Sequence, residues 1–482
     1  MRDSRLFLIL LLAYGWLFVF FPRINNPNEL VRIYAARALV EDHTWSIGRR
    51  TRAGDRGPVY DSWGYVNDKA LVCDDPRLQP PACEGPLYAA KAPGPTVLAV
   101  PVIWLLERFE KPLSKDAAVL ALRWVWMIVP TILFWLAMHR FLDSAPVVLA
   151  GALGSLSLTY GQMFAGHQLA ALALGAAYLC GFWKCRPVLV GFFAAAAVAM
   201  EYPSAPAAAL ICLAYAWRNP RWLRGVLLGA LPWAAVVLQF HWSAFGAPWS
   251  TPYSHLENPG FVRDIAPGFM GISLPTPERV YGSLFAPWLG LLFWAPWIVL
   301  ALKPRKTLPF ALVAYYLVFQ ITHALWRSGW VVGPRYITPI VPFAAICAAQ
   351  LLRERPRLQP LFRGLAAAGV AATGLASAVC LGFPLEVQNP LREVVWPLLA
   401  HGFVPRNPLQ LAGVPGLWSA LPYFAALAAA IAFLLRRDLV AIAMAAAIAA
   451  VQWAAPATSD RGAAHFFEST WEPNPPPGAA PF

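Results

Sequence analysis

The chain has 482 residues, of which 59% are hydrophobic and only 13% charged. That is about half the charge of a soluble domain, too little to cover the roughly three soluble domains such a length would make. A soluble enzyme, a secreted disulfide scaffold and a nucleic-acid-binding domain are excluded, lipid is left as the solvent, and the net charge of +13 needs another explanation.

The chain opens with a basic start over residues 1–5 and an apolar run over 6–22. No small-x-small cleavage site follows Phe18-Val19-Phe20-Phe21-Pro22, so the run is read as an uncleaved first span. Twelve more apolar runs are predicted as spans: 117–138, 146–162, 168–183, 187–201, 203–217, 225–242, 286–302, 308–323, 336–352, 364–383, 419–435 and 438–455. A further run, 92–106, is short and carries Pro93, Pro95 and Pro101, which predicts a segment too broken to cross. The expected class is an all-α polytopic membrane protein. It has about 13 transmembrane helices plus amphipathic interfacial helices in its first outer loop.

Charge orients these spans. With 92–106 not crossing and the N-terminus cytoplasmic, the inner segments are 1–5, 139–145, 184–186, 218–224, 303–306, 353–363 and 436–438. They hold 17 basic and 4 acidic residues, a net +13 equal to that of the whole chain. This follows the positive-inside rule. The basic excess is therefore a topology signal, and no nucleic-acid partner is expected. The chain is placed in the plasma (inner) membrane with its C-terminus outside. No strong internal repeat is visible, which weighs against a transporter built from inverted repeats.

The long outer segments are then 23–116, 243–285 and 384–418. The first carries 13 basic and 12 acidic residues, while the inner loops are short. Polar chemistry is thus expected outside, supplied by lipid-soluble material, because a nucleotide donor would call for a cytoplasmic domain. Cys73 and Cys83 lie in the first outer loop, and an oxidising compartment predicts a disulfide between them. The other five cysteines lie in or beside spans and read as small buried hydrophobes. The tail over 456–482 is Pro-rich and is expected to be irregular.

Past the first span, Leu30, Ile33, Tyr34, Arg37, Ala38 and Glu41 recur at helical spacing, predicting an amphipathic surface helix. Glu29 has two readings. With Asn26 as N-cap and Pro27 first in the helix it is a capping-box carboxylate; alternatively it is a general base. Asn67-Asp68-Lys69-Ala70 follows, then Lys91, which either snorkels or reaches a lipid phosphate as a point charge. Gly166-His167-Gln168 opens a span, and Glu201-Tyr202-Pro203 lies between two. A carboxylate there needs a partner or water, so Glu201 is either a paired structural charge or functional. Arg335, with Tyr336, sits at the mouth of a span, where it either reaches headgroups or clamps a phosphate.

The order of these pieces resembles the GT-C superfamily of membrane glycosyltransferases, closest to prokaryotic proteins related to the protein-mannosyltransferase and aminoarabinose-transferase families. The residues that carry the resemblance are Asn28-Glu29 with Arg32, Asp68-Lys69-Ala70, Tyr88 with Lys91-Ala92-Pro93-Gly94, Gly166-His167 and Glu201-Tyr202-Pro203. Phe245-Gly246-Ala247-Pro248 with Tyr253, Gly282 to Phe285, Gly290 to Phe293 and Gly333-Pro334-Arg335-Tyr336 continue it to about residue 350. It implies a GT-C-like module over 1–242, a variable transmembrane module over 243–455 and a separate tail. It also implies a polyprenyl-phosphate-linked sugar donor and a glycan, lipid or protein acceptor, with an acidic base in the first outer loop and a proline-broken helix lying along the membrane. Transfer would invert the anomeric carbon. Glu29 departs from the aspartate more usual in these families, so Asp68 is its rival as base. Lys69, Lys91 and Arg335 are candidates for the donor phosphate, and Arg32, Tyr88, His167, Glu201, Tyr202 and Tyr336 for the cavity. No cofactor is certain, and a divalent metal is left open. A lipid-linked sugar flippase and an O-antigen polymerase or ligase remain as alternatives.

Overall fold

The computed structural model describes residue 1, residues 3–266, residue 268 and residues 271–470. The chain is mainly helical. It divides into two compact units interleaved in sequence: residues 1–23, 127–163 and 274–482 form one, and residues 24–126 with 164–273 the other. Neither corresponds to a contiguous cut at residue 242. Two helices, Lys115–Leu142 and Trp222–Phe245, are long and apolar enough to cross a membrane by length and composition. Shorter apolar helices include Gly94–Leu106, Pro187–Met200, Leu308–Thr322, Leu421–Leu435 and Leu439–Ala454.

Several expected spans are reshaped. The first helix covers only Asp3–Gly15, and Phe18 then pairs as extended chain with Arg406. The run 146–162 breaks into Ala145–Leu153 and Leu156–Tyr160, with Ser155 capping the second piece through its side chain. The run 286–302 becomes a short helix Leu291–Trp294 and a 3-10 segment Pro296–Leu302, because Pro296 lacks the N–H that would continue the first. The Pro-rich tail was expected to be irregular from residue 456, yet Gly462–Thr470 is helical. Residues 471–482 lie outside the described residues.

The first unit in sequence is built on small residues. The Gln359–Ser377 helix packs on Leu439–Ala454, where a Cβ on Gly364 would meet the Ala441 carbonyl and the Met444 side chain. In the second unit, Pro187–Met200 packs on Trp222–Phe245 in the same way. Gly191 and Gly229 there face the backbone of Val226 and Val188. Side chains that small let two helix backbones meet without a gap.

The second unit also corrects the all-α expectation. It contains an antiparallel sheet of four short strands, β1 (Gly48–Thr51), β2 (Gly54–Arg56), β3 (Lys69–Leu71) and β4 (Gly85–Ala89), in the order β2-β1-β4-β3. These strands are three to five residues long and rich in Arg and Gly, so no apolar alternation announces them. The sheet is extended sideways by a bridge from Ala70 to Leu256 and a hydrogen bond from the Glu257 amide to the Lys69 carbonyl. Leu256 then packs with Ala70, Ala90, Tyr88, Phe245 and Tyr253. Cys73 and Cys83 are joined, with their Cα atoms 5.5 Å apart, and close the loop between β3 and β4.

Two helices in this unit differ from expectation. Pro27–Glu41 forms with Asn26 as N-cap, its side chain accepting from the Asn28 amide. It is not an amphipathic surface helix: every residue from Asn28 to Ala38 is buried. The run read as broken is a continuous helix, Gly94–Leu106. Pro95 stands in the first turn, where its missing N–H costs nothing, and Pro101 is absorbed within the helix. Thirteen residues give about 20 Å, well under a hydrocarbon core of about 30 Å. Ala99 and Ile103 face the protein, while Trp104 and Leu105 are half exposed.

Candidate active site

Three groups of charge are buried in the second unit. The first is built on Glu29. Its carboxylate accepts two hydrogen bonds from the Arg123 guanidinium, both 2.8 Å, and a third from the Phe164 amide at 2.8 Å. Glu29 is 1% exposed and Arg123 4%. The Asn26 amide donates to the Ile24 carbonyl, so the reciprocal half of a capping box is not made. Arg123 opens a π-helical stretch, Arg123–Ile128, just ahead of Pro130. Such a widened turn is a common answer to a ladder that proline interrupts.

The second group lies one turn along the same helix. Arg32, fully buried, donates to the Asn28 carbonyl and, at 2.6 Å, to Glu201. Glu201 ends the Pro187–Met200 helix and also meets His167 Nδ1 at 3.4 Å. Gly166 is needed here, because a Cβ would collide with the Glu201 carboxylate and the Met200 carbonyl. Beside it, the Tyr202 hydroxyl and His241 Nε2 are 2.8 Å apart, and Tyr202 meets Tyr253 edge to face.

The third group is the pair Asp68 and Lys91, 2.9 Å apart. Asp68 immediately precedes β3 in a left-handed conformation (φ 60°), and Lys91 lies between β4 and the Gly94–Leu106 helix. Their side chains keep 9% and 15% exposure, so solvent reaches both. Tyr88 on β4 packs edge to face on Phe245.

Lys69 points elsewhere. Its ammonium is buried, bonded to Asp55 and held 4.3 Å from the centre of the Tyr65 ring. Asp55 also takes a hydrogen bond from Arg50, which pairs in turn with Glu257. Burial alone would raise the Asp55 carboxyl, but the hydrogen bonds from Arg50 and Lys69 outweigh it and hold it below the ordinary carboxylate range. Arg335 and Tyr336 belong to the other unit. Arg335 is buried on the 3-10 turn Arg335–Ile337, its guanidinium 5.3 Å from the Tyr336 ring, and Tyr336 meets His323 edge on.

Sequence reasoning picked out Glu29, Arg32, His167, Glu201, Asp68 and Lys91 but not Arg123, the partner of Glu29. The signal was available: an arginine inside an apolar run requires a counter-charge. Asp55, Arg50 and Tyr60 carried no such signal. Among the described residues no three His, Cys, Asp or Glu side chains cluster so as to share a metal ion. No protein-family model, curated protein or solved structure matches the chain, so the geometry alone carries the reading that follows.

Proposed function

We propose that the chain is a multi-pass membrane glycosyltransferase that moves a sugar from a polyprenyl phosphate to an acceptor hydroxyl at the outer face of the membrane. The observation that carries this reading is the Asp68–Lys91 pair, a carboxylate and an ammonium 2.9 Å apart whose side chains keep 9% and 15% exposure. The membrane setting rests on the two long apolar helices. On Trp222–Phe245, Leu227, Leu228 and Leu231 are each more than half exposed. An apolar face of that length is expected against lipid.

Glu29 suits the role of base poorly. Its carboxylate is 1% exposed and already accepts two hydrogen bonds from Arg123 and one from the Phe164 amide, so little of it is open to a substrate. Asp68 pairs with Lys91, a cation that a phosphate would compete for. In the reaction, the donor phosphate takes Lys91 as its counter-ion. The Asp68 carboxylate accepts the acceptor's O–H proton while that oxygen bonds to the anomeric carbon. The bond from that carbon to the phosphate oxygen breaks, its electron pair stays on the phosphate, and configuration inverts. Charge grows on the phosphate as the bond breaks, so Lys91 stabilises the transition state more than the ground state.

Purified protein supplied with a polyprenyl-phospho-sugar and an acceptor glycan is the test. Release of polyprenyl phosphate together with glycosylated acceptor supports the reading. Movement of intact donor across a vesicle without release identifies a flippase, and the transferase reading then fails.

A further inference from the structure

A second polar site lies on the β1–β2 hairpin, with a lining that includes neither Asp68 nor Lys91. A cleft of about 640 Å3 is lined by Arg50, Gly54, Asp55, Arg56, Tyr60, Asp61 and Tyr65. We propose that this cleft binds a neutral saccharide and serves as the subsite for a glycan acceptor, a role that rests on the transferase reading above.

Four features point to that ligand. Tyr60 is 6% exposed, yet its hydroxyl has no hydrogen-bond partner among the described residues. A buried hydroxyl left unpaired is costly, and a sugar hydroxyl would satisfy it once a small shift of the Tyr60 side chain opened it to the cleft. Tyr65 is 61% exposed and its ring is held from one side by the buried Lys69 ammonium. That leaves an aromatic face fixed in place but open, the surface on which the C–H face of a pyranose packs. The lining contains two cations and two carboxylates, so it carries no net charge and offers donors and acceptors in equal supply. This favours a polyhydroxyl compound over a phosphate, for which concentrated positive charge is the usual recognition device. Finally, Gly54 has a left-handed φ of 109° and open space where a Cβ would stand, so the hairpin turn leaves the cleft mouth clear. The volume falls within the range of small-ligand sites.

The cleft is also rigidly built. Asp55 is tied to Arg50 and Lys69, and Arg50 to Glu257. The residues that contact the sugar are thus held by a network that does not have to rearrange when it binds, which lowers the cost of binding.

The experiment uses the full chain in lipid nanodiscs and saturation-transfer NMR with three neutral probes, the gluco-, manno- and galacto-configured tetrasaccharides. At least one is expected to show transfer, with affinity reduced about tenfold, the size of one lost hydrogen bond to a buried group, in Tyr60→Phe. Tyr65→Ala is expected to weaken it at least as much. Inorganic phosphate is expected not to displace the probe. The inference is overturned by no binding of any probe, by binding that neither substitution weakens, or by displacement with phosphate. Polyprenyl phosphate release is read on the same samples. Release without saccharide binding removes this inference and leaves the transferase reading intact; saccharide binding without release leaves a saccharide site standing and removes the transferase reading together with the acceptor role.

Discussion

Glu29 and Asp68 are both acidic residues of one polar segment, and only their surroundings separate them. Glu29 sits among Arg123 and the Phe164 amide, where its loss would break a buried ion pair. Breaking such a pair costs about 3–5 kcal/mol. Glu29→Gln is therefore expected to lower the thermal midpoint of the purified protein markedly, while the fraction that remains folded still transfers sugar. Asp68→Asn is expected to lower the midpoint less, because an amide oxygen can still accept from Lys91, and to lower the transfer rate about 10²–10⁴-fold. Rates and midpoints measured side by side decide the matter: an Asp68→Asn enzyme with full activity beside a stable, inactive Glu29→Gln enzyme would exchange the two roles. Residue type placed both carboxylates on the candidate list, but only the position of Arg123, 94 residues away, tells them apart.

At the scale of elements, the sequence was most legible where apolar periodicity ran long and least where strands were short. The helices at Pro27, Gly166, Pro187 and Trp222 start within a few residues of where the pattern put them. The sheet was not legible, because β1 and β2 are held by Arg50, Asp55 and Lys69 and not by a buried apolar face. Burial of the Pro27–Glu41 helix was missed for a related reason. Arg32 reads as a surface residue until Glu201, 169 residues on, is seen to meet it. The hairpin's charge network has a pH signature. Asp55 has a folded pKa below its unfolded value of about 3.9, so its contribution is present above that value and is lost as pH falls through the folded one. The gap in thermal midpoint between the parent and Asp55→Asn is thus expected to be full at neutral pH and to close as acidification carries the solution through the lowered folded pKa. A gap that instead widened with acid would mean that Asp55 is not held by these cations. The disulfide acts on a neighbouring piece. Joining Cys73 to Cys83 restricts a short loop, worth about 3 kcal/mol in the chain-entropy view, and the exposed Arg77 lies inside it. Reduction is expected to speed tryptic cleavage after Arg77 while leaving cleavage elsewhere unchanged, which mass mapping of the fragments would read.

At the scale of the molecule, the prediction concerns the side of the membrane on which each loop lies. Two helices satisfy a spanning length outright, whereas many others are 13–17 residues, such as Pro187–Met200 and Leu421–Leu435. Length alone therefore does not count the spans, and charge has to. The seven short basic segments hold a net +13, the formal charge of the entire chain, so the rest of the sequence is neutral. That segregation is what the positive-inside rule produces when all seven share one side. It requires the Gly94–Leu106 helix not to cross. Its half-exposed Trp104 and Leu105 stand where an interfacial helix would meet lipid, with Arg108 stacked on Trp104 at 4.7 Å. Reporter fusions at residues 140, 220, 305, 357 and 437 are accordingly expected to report cytoplasm, and those at 60, 260 and 400 the outside. The decisive pair is 60 and 260. They belong to one compact unit, in which the Leu256 segment extends the β3 edge and Glu257 meets Arg50. Opposite signals from these two positions would be incompatible both with that sheet and with 92–106 remaining on one side, and would remove the outer-face reaction with them.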